Sequence, residues 1–67
     1  PRTVTIDFTD YRGERRRRDI IPTGEGDYFS NNEYYKENQW MFNAFDAEDK
    51  VVKIFARKDV HSWTPNP

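Results

Sequence analysis

The 67-residue sequence contains no cysteine, so neither a disulfide framework nor a thiolate zinc site can hold the fold together. It has one histidine, His61, and two serines. Ser62 follows His61 directly, and neighbours on a strand point to opposite faces, so the two cannot form a nucleophile–base pair there. His61 with scattered carboxylates matches no metal-ligand spacing, and Gly24-x-Gly26 precedes no helix and is not a phosphate loop. With twelve acidic residues, carboxylates meet by chance, so a carboxylate pair carries no signal. His61 reads as an ordinary surface side chain. The expectation is a protein that is not an enzyme, with no metal and no cofactor. No apolar run approaches the roughly 18 residues of a membrane span, and no signal-peptide core is visible. A cytoplasmic location is therefore expected. A start at Pro1, without methionine, is expected of a trimmed chain with a segment missing upstream.

What is present is aromatic bulk: five Phe, four Tyr and two Trp. A chain this short makes one domain, residues 1–67, and buries only about 60% of its unfolded surface on folding. Large rings bury much area per residue and suit a small barrel. The net charge of −1 argues against a general polyanion-binding surface. Its distribution is uneven. Five arginines and one glutamate lie between Arg12 and Arg18, whereas Glu25, Asp27, Glu33 and Glu37 face only Lys36 between residues 24 and 38.

Period-two alternation marks 3–8 as a half-buried strand, with Val4, Ile6 and Phe8 on one side. Residues 9–14 have turn chemistry, with Gly13 available for a positive φ. Residues 15–21 then read as the returning strand, stopped by Pro22; Arg16, Arg18 and Ile20 share one face, Arg15 and Arg17 the other. Arginine on both faces predicts an edge or strongly curved strand. Residues 23–38 form a long connection whose Tyr28, Phe29, Tyr34 and Tyr35 must pack against something. The clearest hairpin joins 39–46 to 51–56 through a four-residue turn, pairing Asp46 with Val51, Phe45 with Val52, Asn43 with Ile54 and Phe42 with Phe55. One face of it shows Trp40, Phe42, Ala44 and Phe55, and the other Met41, Phe45, Val52 and Ile54. A hairpin apolar on both sides needs a second cover, from the aromatic loop or from a partner protein. A helical turn at 57–60, a closing strand at 61–64 and a tail at 65–67 complete an all-β, five-stranded barrel or roll with one long loop.

Two surfaces are candidates for binding. The arginine strand can clamp phosphates, with Tyr11 and Trp40 as stacking groups for a base, although a solvated edge strand is the plainer reading. Met41, Phe45, Val52 and Ile54, with Tyr34 and Tyr35, form either packing within the domain or the face of a homodimer or partner complex.

The order Ile6…Tyr11-x-Gly13-Glu14…Arg16/Arg18…Ile21-Pro22, then Gln39-Trp40-Met41-Phe42-x-Ala44-x-Asp46 and Lys53-x-Phe55, resembles the WYL domain family in its short, stand-alone bacterial and phage form. The resemblance runs from about Val4 to Trp63. It implies an SH3-like (Sm-like) β-barrel serving as a ligand-sensing module in transcription regulation, with a nucleotide or single-stranded nucleic acid as ligand. The name motif falls on Trp40-Met41-Phe42, with its Tyr and Leu replaced, and the family's basic position falls on Lys53. Its second arginine falls at Asp59, beside Arg57 and Lys58. The resemblance thus points to Arg16, Arg18 and Lys53 at phosphates, with Tyr11 and Trp40 as stacking or wall groups and Arg57 as a further ligand-binding candidate.

Overall fold

A computed structural model describes residues 2–67. Six strands form in chain order: β1 (Val4–Thr9), β2 (Arg15–Pro22), β3 (Tyr28–Ser30), β4 (Gln39–Asp46), β5 (Val51–Ala56) and β6 (Val60–Pro65). A single 3-10 turn, Arg57–Asp59, links β5 to β6. All pairings are antiparallel. β4 is the pivot: β5 lies along one edge of it, while β2 and β3 share the other, at Ala44–Asp46 and Gln39–Met41 respectively. From β2 the sheet continues through β1 to β6.

The sheet curls into a half-barrel, because its inner side chains meet across the interior. Phe8 of β1 packs edge to face on Phe55 of β5 with ring centroids 5.1 Å apart, and Phe42 of β4 stacks on Phe55 at 5.3 Å. Ile6, Ile20 and Ala44 complete this core, and Val4 and Val60 pack against it. Each fully buried side chain of this size contributes roughly 1.5–3 kcal/mol. β5 and β6 do not pair, so each keeps a free edge.

The expected all-β fold is the observed one, and the hairpin register is as read from the sequence. Three details differ. The 23–38 connection is not all loop, since Tyr28–Ser30 supplies β3, a sixth strand against β4. β2 lies between β1 and β4 in strand order, yet only Ile20–Pro22 reach β4. Its arginine half, Arg15–Arg18, has a strand neighbour on β1 alone, so long polar side chains reach water without leaving the sheet. The tail is also tied down. Pro65 belongs to β6, and the Asn66 side-chain amide donates to the hydroxyls of Thr3 (2.9 Å) and Thr5 (3.0 Å).

Met41, on the expected second apolar face, is covered, being only 1% exposed. Phe45 is half-buried, whereas Val52 and Ile54 remain 59% and 44% exposed.

Candidate binding site

Two hairpin turns set the geometry of the site, and both use the same wiring. At the β1–β2 turn one carboxylate oxygen of Asp10 accepts the N–H groups of Arg12 and Glu14, each at 2.9 Å, while Gly13 takes a φ of +84°. The other oxygen accepts from Arg16 Nε at 2.9 Å. At the β4–β5 turn one oxygen of Asp46 accepts the N–H groups of Glu48 (2.8 Å) and Asp49 (3.1 Å). The other accepts from Lys53 Nζ at 2.8 Å, with Arg18 Nε 3.7 Å away. In each turn an aspartate closes the loop and holds a cation from the strand that returns.

The electrostatics follow from this wiring. Burial pushes the Asp46 carboxyl up, but Lys53 and the two N–H groups outweigh it and hold Asp46 below the ordinary carboxylate range. Burial also opposes the charged form of Lys53, yet Asp46 and Asp49 raise its value above normal. Asp10 is held low by the Glu14 N–H and by Arg16.

Between the two turns lies a groove of about 260 Å³, touched by Tyr11, Arg12, Arg16, Arg18, Tyr35 and Lys53 over a floor of Phe8 and Phe55. It opens into a second groove of about 480 Å³ lined by Tyr11, Tyr34, Tyr35, Val52, Lys53 and Ile54. Val52, Lys53 and Ile54 are consecutive and alternate between faces, so a groove that touches all three runs along the free edge of β5. The opposite wall is ordered. Asn32 Oδ1 accepts the N–H groups of Tyr34 and Tyr35, both at 2.8 Å, and the Tyr34 ring lies 4.7 Å from that of Tyr11. Burial raises the Tyr35 phenol, with Asp59 and Asp10 adding to the effect.

Of the residues singled out from the sequence, Tyr11, Arg16, Arg18 and Lys53 do share a groove, and Tyr34, Tyr35, Val52 and Ile54 share the adjoining one. Trp40 lines neither. It sits six residues from Asp46 along β4, about 20 Å at strand rise, and packs on Phe29. Arg57 also lies elsewhere, in a cleft with Asp27, Phe42 and Trp63. His61 Nε2 meets the Thr9 hydroxyl at 2.7 Å.

Three of the four groove cations are already paired with carboxylates. Arg16 holds Asp10 and Glu14 (3.0 Å), Arg18 holds Glu48 (2.7 Å), and Lys53 holds Asp46 and Asp49 (2.5 Å). Arg12 bonds to the Tyr11 hydroxyl at 3.1 Å. The carboxylates of Asp10, Glu14, Asp46, Glu48 and Asp49 are site residues beyond those singled out from the sequence. The signal for them was present, since an aspartate opening each hairpin turn is the usual Asx-turn residue.

Among the described residues no group of three or more His, Asp or Glu side chains is placed to hold a metal ion. Among them too, no helix is long and apolar enough to cross a membrane. Comparison of the chain with protein-family models, with curated proteins and with solved structures finds no match, so the WYL resemblance rests on the motif residues alone.

Proposed function

We propose that the chain is a non-catalytic binding module that receives an extended, apolar protein segment along the free edge of β5. One observation carries the reading. β5 is hydrogen-bonded to β4 alone, and its exposed Val52 and Ile54 face a tyrosine-lined groove. An incoming strand would add main-chain hydrogen bonds to the edge, while its alternate side chains enter the groove between β5 and Tyr11, Tyr34 and Tyr35. Lys53, the one charge on β5, is paired with Asp46 and Asp49, which weakens its repulsion of an incoming strand. A chain without cysteine depends on no redox state, which suits work in the cytoplasm.

The test is selection of about ten-residue peptides from a random display library, followed by amide chemical-shift mapping. Selected peptides should perturb residues 51–54 and Tyr11 and lose affinity at least about tenfold on Ile54→Asp. Peptides that map elsewhere, or bind Ile54→Asp as well as the parent, sink the reading. Sedimentation that shows a dimer abolished by the same substitution identifies a second copy as the occupant.

A nucleotide or single-stranded nucleic acid, the ligand class implied by the WYL resemblance, is the second reading. The gathering of Tyr11, Arg16, Arg18 and Lys53 in one groove favours it. The five carboxylates of Asp10, Glu14, Asp46, Glu48 and Asp49 oppose it, because a phosphate would have to displace them. Oligonucleotide titration at two salt concentrations decides. Binding that weakens by about one log unit per log unit of salt for each contact supports the nucleotide.

A further inference from the structure

We propose that the cleft between Asp27, Phe42 and Trp63 is a guanidinium-binding site, filled in the resting domain by Arg57 and open to an arginine side chain of a partner protein. The site has every group that such a ligand needs. Asp27 grips Arg57 through both carboxylate oxygens, at 2.7 Å to Nη2 and 3.1 Å to Nε. This is the fork-to-fork geometry that suits a planar guanidinium and not an ammonium. The guanidinium carbon lies 4.6 Å from the Phe42 ring centre and 5.3 Å from that of Trp63, within cation–π reach of both. Phe42 and Trp63 meet edge to face at 5.8 Å, so the two rings form a corner around the cation.

The occupant is placed to leave. Arg57 opens the 3-10 turn between β5 and β6, which has no buried residue and no side-chain cap. The ion pair is itself exposed, Arg57 at 42% and Asp27 at 36%. Two left-handed glycines flank Asp27 on its N-terminal side. Gly24 and Gly26 hold φ values of +88° and +81°, and an added Cβ at either would meet nothing within 4 Å. About 250 Å³ of open cleft remains beside the guanidinium, lined on its far side by Pro22 and Asn43. A second side chain can therefore enter before Arg57 has withdrawn. An incoming arginine competes with Arg57, so the exchange needs a partner held by further contacts.

Arg57→Ala empties the cleft and is titrated with N-acetyl-arginine methylamide, while the Trp63 indole N–H and the amides of residues 24–27 are followed by NMR in a Trp40→Phe background. Saturable shifts confined to those groups are expected, at least about tenfold tighter than for the parent chain and for the lysine analogue, and lost in Arg57→Ala/Asp27→Asn. Absence of saturable shifts in Arg57→Ala, or shifts that survive Asp27→Asn, overturns the proposal and leaves Arg57 a structural staple. Should Arg57→Ala fail to fold, Arg57→Gln keeps the aliphatic stem, and the same outcomes decide.

Discussion

Asp10 and Asp46 are wired alike and buried differently. Each closes a hairpin turn with one oxygen and holds a strand cation with the other, but Asp46 is fully buried while Asp10 keeps 14% of its side chain exposed. Where water reaches a carboxylate it can replace a lost partner, and where none reaches it the loss is uncompensated. The difference divides the groove into a fixed end, at Asp46, and an adaptable end, at Asp10 and Tyr11. Asp27 extends the series, since its carboxylate, 36% exposed, holds Arg57 at the surface.

Asp46→Ala leaves Lys53 with Asp49 alone and takes the acceptor from two turn N–H groups, and should cost about 3 kcal/mol, lowering Tm by more than about 10 °C in a thermal melt. A near-parental Tm would break the contrast at its strong end. Acid should act next. Asp46 and Asp10 have folded-state values below normal, so their contribution is present above the ordinary carboxylate value and is lost as pH falls through the lowered one. Lys53 is raised, so its contribution is present below the ordinary lysine value and disappears as pH rises through the raised one. Circular dichroism at fixed temperature should show a stability plateau from about pH 5 to pH 9 with a steep loss below about pH 4. Asp10→Ala should lower Tm by no more than about half as much as Asp46→Ala, because water takes over its partners. Arg57→Ala should cost under about 1 kcal/mol in urea unfolding. Smallest of all, Ile54→Ser should stay within about 0.5 kcal/mol of the parent while abolishing peptide binding. A large destabilisation there would mean that Ile54 packs within the domain.

Strand identity was legible where one side faces a core. The alternation of Val4, Ile6 and Phe8, and the pairing of Phe42 with Phe55, follow from a period of two that burial enforces. Met41 escaped the same reasoning because strand parity gives the face of a residue but not what covers it. β3 was hidden because three residues, Tyr28–Ser30, are too few to show a period. In the grooves the pairs made within one turn, Arg16 with Asp10 and Lys53 with Asp46, were legible as a turn aspartate beside a returning cation, whereas other pairs join distant segments. Arg18 meets Glu48 thirty residues away, and Arg57 meets Asp27 thirty residues away. Such pairs form only once β4 has gathered β2, β3 and β5 along its edges, so no local pattern announces them.

The Thr3–Asn66 clasp has a topological consequence. Because the Asn66 N–H donates to the Thr3 carbonyl at 3.0 Å, residues 3 and 66 lie side by side. A host protein can therefore carry this domain as an insert within one of its own loops through two short joints. A circular permutant that joins these two residues and opens at residues 47–50 should reassemble the same sheet.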